Sequence, residues 1–447
     1  MGFIADLHLH SRFAYACSKN LTLVNMAAWA KTKGIALLSS ADFTHPAWLA
    51  ELGKNLVPTE DGDFEFQGVR FVLGTEISCV YKQGGRPRRV HLLVFAPGFE
   101  TVNGIREMLA GLNSKLNGDG RPTVRASARD ITARLLEIDE ACIVIPAHIW
   151  TPWYGMLGSK SGFDAIDECF GDMTPHVPAV ETGLSSDPEM NWGVPALAGK
   201  TIVSFSDAHS LPNMGRELTV FQGEAGYRGL SSGLKGNFVE QTIEFFPEEG
   251  KYHLNGHRKC GISQTPDETS RAGSRCPQCG RPLTLGVLHR VQELSNERTP
   301  MNVEKRPYTK LAPLIEILAH TTGKGRAAKS VGAAYHHICD ELGGEIQVLT
   351  QAGYGDLEQV GGEALANAVI KFRSGQVAIV PGFDGQYGTV LPADCPSICW
   401  LCPNPGAGPA PGRRPQASPG RRKQGRFLGQ PPSLGRPRYG LVGLSRF

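Results

Sequence analysis

The sequence predicts an α/β fold of the β/α-barrel type, followed by a small cysteine-bearing module and a helical module. Three observations carry this. Over residues 1–250 short apolar runs alternate with helical patterns, and the runs repeatedly close on a His, Asp or Glu. Over 251–300 the chain turns short, polar and cysteine-bearing. Over 301–392 helical periodicity returns and closes in a hairpin pattern.

Taken in order, Phe3–His8 reads as a strand, and Leu21–Gly34 as a helix with Thr22 as N-cap and Gly34 as its stop. Ile35–Ala41 is again strand-like and leads into Asp42. Later apolar runs end in Gly74-Thr75-Glu76, Val90-His91-Leu92-Leu93, Ile143–His148, Ala179-Val180-Glu181 and Ile202–Asp207. In a β/α barrel the C-terminal strand ends converge on one rim, where active sites sit. Leu311–Ala319, Ala327–Leu342 and Glu363–Arg373 read as helices, and Gln376–Pro381 with Gly382–Leu391 as a hairpin. From residue 393 to 447 the chain is Pro/Gly/Arg-rich without periodicity, the composition of a disordered basic tail. Non-native coding and a basic arm both produce such a change.

The whole chain of 447 residues suits two to three domains, and 41% apolar with 20% charged residues is an ordinary globular balance. The net charge of +3 conceals an asymmetry: nine Lys/Arg and one Asp from residue 393 onward give the tail +8, leaving −5 for the first 392 residues. Global charge is therefore silent on nucleic acid. No apolar run approaches the roughly 20 residues that span a bilayer. The opening Met1-Gly2-Phe3-Ile4 lacks a basic region and apolar stretch, so a cytoplasmic protein is expected. Most of the 11 cysteines are scattered singly, which reads as reduced thiols plus one metal knuckle.

His8-Leu9-His10 places two imidazoles on one side of an extended chain, where both can grip one cation. Alone the pattern is weak. With Asp42, His45, Glu76, His91, His148, Asp207 and His209 at successive strand ends, and Glu181 beside them, nine metal-suited residues converge. Cations gathered there lower the pKa of water and neutralise charge on phosphate oxygens, so phosphoester hydrolysis is the expected reaction.

The order His-x-His, Asp…His, Gly-x-Glu, His, His, Asp-x-His resembles the PHP (polymerase and histidinol phosphatase) family over roughly residues 1–250. The resemblance implies a distorted (βα)7 barrel with two to three divalent ions (Zn, Mg or Mn). Carried over by position, one ion would take His8, His10, Glu76 and Asp207. A second would share Glu76 with His91 and His148, and a third would use His209 with Asp42 or His45. The family's usual Asp-His dipeptide is here Asp42-Phe43-Thr44-His45. Asp207, with Glu76 and His209, is expected to carry catalysis.

Further blocks look like endonuclease Q: Gly158-Ser159-Lys160-Ser161-Gly162-Phe163-Asp164, Glu181-Thr182-Gly183-Leu184-Ser185-Ser186-Asp187-Pro188, Phe245-Phe246-Pro247-Glu248-Glu249-Gly250, Cys276-Pro277-Gln278-Cys279-Gly280 and Gly382-Phe383-Asp384-Gly385-Gln386-Tyr387-Gly388. The match spans about residues 1–391. It implies a metal-dependent DNA repair endonuclease cutting 5′ to deaminated bases (uracil, hypoxanthine, xanthine) or abasic sites. The alternatives are a PHP phosphatase on a small phosphomonoester and a non-catalytic DNA-binding accessory protein. A sliding clamp is a further candidate partner, no membrane is involved, and nothing demands more than a monomer.

An enzyme that reads a damaged base must extrude it. Trp150, Trp153, Tyr154 and Phe163 follow His148, and either stack on such a base or pack the wall; Trp153 is the candidate DNA contact. Arg12, Lys160 and Arg216 lie beside metal motifs and serve phosphate or solvent. Gly323-Lys324-Gly325-Arg326-Ala327-Ala328-Lys329 is a basic turn opening a helix, where Lys324, Arg326 and Lys329 serve a phosphate or cap a plain loop. No Gly-x4-Gly-Lys-Ser/Thr is present, so no ATP hydrolysis is expected. Cys276-x-x-Cys279 supplies half a zinc site, and His257-x-x-Cys260 completes a His/Cys3 set, with Ser263 standing where another cysteine would make four. One structural zinc is expected there, to staple about 50 residues of low apolar content.

Overall fold

The computed structural model describes residues 2–295 and 304–393. Residues 394–447, for which a disordered tail is expected, lie outside them. The strand Gly2–Asp6 pairs in parallel with Leu37–Ser39, which pairs in parallel with Val69–Gln83. The sheet then turns antiparallel. Val69–Gln83 folds back on Arg86–Ala96 through Gly84-Gly85, both at positive φ, and Arg86–Ala96 pairs with Ile143–Pro146. On the other flank Gly2–Asp6 runs antiparallel to Leu218–Gln222, and that strand antiparallel to Val239–Glu244. Ala179–Glu181 and Thr201–Val203 form a separate parallel pair. The fold is thus mixed α/β with a parallel-strand centre.

These strands are apolar on both faces. Ala5, Leu37, Val72, Leu93, Ile145, Ala179, Val203 and Phe221 meet in one core. Leu38, Phe71, Leu73, Leu92, Val94, Val144 and Val180 belong to a second, beneath Met26 and Ala30, Trp48 and Leu52, Ile105, and Ile131 and Leu135 of four helices. Successive strand residues point to opposite faces, so continuous apolar runs are what a doubly covered sheet requires. The helix Leu23–Lys33 forms as its caps dictate: Thr22 Oγ1 accepts from Asn25 N–H, and Gly34 stops it at φ 84°.

One reading of the strands needs correction. Glu76 and His91 lie mid-strand, opposite Leu93 and Ser78, rather than at strand ends. Both strands continue past the site as a hairpin, and polar residues in that extension hide its continuity in the sequence.

Residues 251–295 hold a hairpin of Asn255–His257 with Ile262–Gln264, and the helices Pro266–Ala272 and Val287–Leu294. After Tyr308–Lys310, which pairs with Val239–Glu244, come five helices: Leu314–Thr322, Lys329–Leu342, Glu345–Thr350, Tyr354–Gly361 and Glu363–Arg373. The third and fourth of these escape sequence periodicity because they are short, the third following Gly343-Gly344, both at positive φ, and the fourth following Gly353. Val377–Val380 pairs with Thr389–Pro392, so the expected hairpin forms. Among the described residues no helix is long and apolar enough to cross a membrane.

The C-terminal helices dock on the first helix through a buried charge. Lys33 pairs with Glu345, whose carboxylate also accepts from Tyr335 O–H (2.7 Å) and Leu314 N–H (2.8 Å). Trp29 and Tyr335 flank the ammonium at 5.7 and 5.8 Å. Removing one partner of a buried pair leaves the other desolvated and alone. Glu345→Ala should therefore lower unfolding stability by about 3 kcal/mol, and Lys33→Met with Glu345→Leu should recover most of that. Urea unfolding of the three proteins checks this.

Candidate metal centre

His8 and His10 lie just past the strand Gly2–Asp6, held by a parallel bridge between Leu9 and Ala208. His10 N–H donates to Ala208 O (3.2 Å), and Ala208 N–H to His8 O (3.3 Å). Two segments nearly 200 residues apart in sequence thus present His8-x-His10 and Asp207-x-His209 side by side, with Leu9 and Ala208 turned into the core.

Three groups result: His8, His10 and Glu76; His10, Asp207 and His209; and Glu76, His91 and His148, with ligand atoms inside each group within 4.8 Å of one another. Glu76 and His10 are shared, so the groups form one centre. His8 Nε2 lies 3.4 Å and His10 Nε2 3.2 Å from Asp207 Oδ1, and His10 Nε2 is 3.4 Å from Glu76 Oε2. His8 Nε2, His10 Nε2 and Asp207 Oδ1 are buried without a hydrogen-bond partner. Orphaned polar atoms are costly inside a protein, and imidazole with carboxylate is a donor set that divalent cations satisfy. The residues fit such cations.

Supporting groups decide which nitrogens face inward. Glu181 takes His8 Nδ1 (2.9 Å), Asp42 takes His10 Nδ1 (3.2 Å), and Thr151 Oγ1 meets His148 Nδ1 (2.9 Å), which leaves each Nε2 to the centre. Glu181 also accepts from His148 N–H at 2.6 Å. Backbone strain collects here: Asp42, His148 and Asp207 have φ of 39°, 31° and 45°, conformations that persist only when surroundings impose them. Packing around His148 is tight, since a Cβ on Gly183 would stand 2.4 Å from the His148 Cβ. At Asp207 the turn is clamped. Arg216 Nε donates to Ser206 O (2.9 Å) and Arg216 Nη2 to Asp207 O (3.3 Å), while the Asp6 carboxylate accepts from Ser206 and Gly215 N–H (3.0 and 2.8 Å). Burial raises Asp6 to about 6 against those amide bonds.

The charges are mutually tuned. Burial opposes ionisation of Glu76, but His91 and Arg121 prevail and hold it well below the usual range. Asp207 is likewise depressed, burial being outweighed by His8, His209 and His10. Burial lowers His91 to about 4, against the pull of the Glu76 carboxylate. For His10 burial also pulls down, but Asp207 and Asp42 raise it to about 9.

The expected ligands therefore assemble, with two exceptions. Asp42 sits behind His10, accepting also from Ser11 N–H (2.6 Å), and belongs to none of the three groups. His45 stacks on Phe13 (ring centroids 4.3 Å apart) and lies outside them too. The two residues between Asp42 and His45 in sequence, Phe43 and Thr44, carry the imidazole away. Sequence reasoning missed Arg121, whose Nη1 donates to Glu76 Oε2 at 3.0 Å, and the roles of Asp6 and Glu181 as holders. Arg121 stands on a loop with no pattern to flag it.

The second metal-type cluster forms as expected: His257, Cys260, Cys276 and Cys279 converge, with Cys279 Sγ 3.5 Å from His257 Nδ1. Desolvation raises the Cys276 thiol, but hydrogen bonds to it, from the Cys279 and Gln278 amides and then the Cys279 and His257 side chains, together outweigh that and lower it to about 7. Among the candidate nucleic-acid contacts, Lys160, Lys324, Arg326 and Lys329 are exposed, and Trp153 is partly exposed, edge-on to Tyr252. Lys324 donates to Ser330 Oγ, and Arg326 pairs with Glu316. Arg12 pairs with Glu51. Arg216 is turned to the Asp207 loop, which removes two of its donors from any outside ligand. Trp150 and Phe163 are buried packing residues, and Tyr154 lies against His91 at 4.4 Å.

A carboxylate shared between imidazole clusters, with a guanidinium beside it, suits one task above others: holding cations against a phosphate ester. The class of protein so defined is a hydrolase acting on ester bonds. Comparison with known proteins sharpens this. Residues 313–376 match the family model of the MJ0043 C-terminal domain. The chain is 28% identical to the uncharacterized protein YqxK of Bacillus subtilis, over 87% of this chain and 99% of that one. It is 32% identical to the uncharacterized protein MJ0043 of Methanocaldococcus jannaschii over 54% of this chain, and spans only 31% of that protein's length. Among solved structures it resembles the lesion-specific endonuclease PfuEndoQ of Pyrococcus furiosus at 32% identity and a TM-score of 0.79, over 88% of this chain and 96% of that one. It resembles an endonuclease Q complex with a 27-mer duplex carrying an abasic lesion at 32% identity and a TM-score of 0.77, over 88% and 97%. The chain belongs to the endonuclease Q family.

Two outcomes follow from the support of the centre. Glu181→Ala frees the His8 ring and should weaken Mn2+ binding about 10- to 100-fold, read by metal titration. A proton held on His10, raised to about 9, must leave before that nitrogen can coordinate. Mn2+ uptake should therefore release protons at pH 7 and be tighter at pH 8 than at pH 6, as calorimetry in buffers of different ionisation enthalpy will record.

Proposed function

We propose that this protein is a metal-dependent DNA endonuclease of repair, hydrolysing the phosphodiester 5′ to an abasic site or a deaminated base (uracil, hypoxanthine or xanthine) in duplex DNA. The observation that carries the reading is the convergence of His8, His10, Glu76, His91, His148, Asp207 and His209 in a chain that shares fold and nearly full length with an endonuclease solved on an abasic duplex. The same likeness supports a distorted (βα)7 barrel over residues 1–250, a zinc-binding module over 251–300 and a helical DNA-binding module over 301–392. A cytoplasmic monomer suits this reading.

His8, His10, Glu76 and Asp207 would hold one divalent cation (Zn, Mg or Mn), Glu76, His91 and His148 a second, and His10, Asp207 and His209 would complete a third position. Cations so held supply Lewis acidity to water and neutralise charge on phosphate oxygens. The residues do the rest. Glu181 and Asp42 fix the rings of His8 and His10, and Arg216 with Asp6 fixes the Asp207 turn. Trp153 stands exposed near the His148 loop as a stacking surface for an extruded base. Lys160, Lys324, Arg326 and Lys329 offer phosphate contacts. Arg12 would have to leave Glu51 to join them, and Arg216 is read as a holder of Asp207 instead. His257, Cys260, Cys276 and Cys279 would bind one structural zinc.

Denaturing gels of labelled duplexes carrying one uracil, hypoxanthine or abasic site test this. A nick immediately 5′ to the lesion is expected with Mg2+ or Mn2+, and none with EDTA or on undamaged DNA. Release of phosphate from small monoesters without nicking would overturn the DNA assignment. Asp207→Asn should keep its fold and lose cleavage. Metal analysis should find zinc in protein purified without chelator, and Cys276→Ser with Cys279→Ser should lower the zinc content by one equivalent per chain.

A further inference from the structure

Among the described residues Arg121 is the guanidinium that hydrogen-bonds the Glu76 carboxylate of the centre, and its setting gives it a task of its own. It stands on the loop between the helix Phe99–Gly111 and the short strand Thr123–Val124. The loop is pinned at four points. Pro122 O accepts from Ser78 N–H (2.9 Å), two residues past Glu76 on its strand. Gly120 N–H donates to Phe13 O (3.2 Å), and Gly120 O accepts from Thr44 Oγ1 (3.0 Å). Asp119 Oδ1 accepts from both Tyr15 N–H (3.0 Å) and Arg121 N–H (3.2 Å). Gly120 itself presses on the support of the centre, since a Cβ there would come within 2.5 Å of the Asp42 carboxyl. Only a glycine lets this loop close so tightly behind His10. The base of Arg121 is therefore fixed by the same parts that fix the ligands.

Its guanidinium reaches Glu76 Oε2 through Nη1 at 3.0 Å, and Asp207 and Asp119 add attraction. Glu76 Oε2 is also the oxygen that faces His10, whereas Oε1 faces His8, His91 and His148. Among the described residues Nε and Nη2 of Arg121 make no hydrogen bond, and the side chain is 25% exposed. A planar fork with free donors, anchored at one corner by a ligand carboxylate and open at the other, is shaped for the paired oxygens of a phosphate.

We propose that Arg121 is a further catalytic residue: its Nε and Nη2 bind non-bridging oxygens of the scissile phosphate and stabilise the charge that grows there, while Nη1 keeps hold of Glu76. The proposal rests on the phosphodiesterase reading of the centre. It differs from a merely structural role for Arg121, in which the guanidinium only neutralises Glu76. A structural arginine would fail by losing cations, whereas removing a phosphate-binding one takes a positive charge from the centre and leaves cation binding intact or tighter.

The test compares wild type, Arg121→Ala and Arg121→Lys, each loaded with Mn2+. Metal stoichiometry, inorganic phosphate binding by calorimetry and nicking of an abasic duplex are read together. Arg121→Ala should keep its manganese, bind phosphate at least 10-fold more weakly and cleave about 100-fold more slowly, as loss of one preorganised charge donor does. Added guanidinium ion should restore part of the rate, and Arg121→Lys, which keeps charge without the fork, should fall between. Should the alanine variant not fold, the lysine variant carries the same comparison. Manganese lost from the variants, or phosphate binding and cleavage within threefold of wild type, overturns the proposal. Failure of wild type itself to nick the duplex would strike the DNA reading alone, because phosphate binding still decides Arg121.

Discussion

Glu76 is the group on which the centre depends. A carboxylate buried mid-strand between two sheet neighbours would ordinarily take a proton, since burial disfavours its charge. It stays ionised because four imidazoles and a guanidinium surround it, brought by four separate stretches of chain. Remove that ring of donors and the strand Val69–Gln83 would carry an uncompensated charge through the core. The converse also holds: Glu76 gives the imidazoles of His8, His10, His91 and His148 a common focus. Electrostatic need and functional geometry are here one arrangement.

The layer behind the ligands shows how the fold keeps that arrangement fixed. Glu181, Asp42 and Thr151 each take the outward nitrogen of one imidazole. Asp6 and Arg216 clamp the turn that holds Asp207 at φ 45°, and Trp48 Nε1 donates to Ser40 O and Ala41 O on the approach to Asp42. Strain at Asp42, His148 and Asp207 is tolerated because hydrogen bonds and close packing over-determine each position. Ligands held this way need little rearrangement when charge arrives or develops.

The C-terminal helices belong to the same body of structure. Lys33 and Glu345 join the first helix to the third helix of the C-terminal set, and Gly215 and Arg216 lie beside that contact, among Leu311, Pro313 and Glu345. The segment that clamps Asp207 thus leans on the helical module. Damage to that module would be felt at the centre through packing rather than through any ligand it supplies.

Much of this was legible in the sequence. His8-x-His10 and Asp207-x-His209 announce themselves by alternate spacing, and the His/Cys3 set by its paired x-x spacings, because local geometry alone brings such residues to one side. Thr22 and Gly34 mark their helix for the same reason. Other features needed the tertiary structure. From the sequence Asp42 reads as a ligand and Glu181 as a member of the same set, and only the folded chain sets them behind His10 and His8. His45 leaves the centre because the path from Asp42 carries it toward Phe13. Arg121 carries no motif, and its place comes from a loop pinned to three other segments, at Phe13 and Tyr15, at Thr44 and at Ser78. A sequence fixes what neighbours on one strand or helix can do together; which distant loop closes over them is decided by packing, where a single glycine at 120 can admit an arginine at 121.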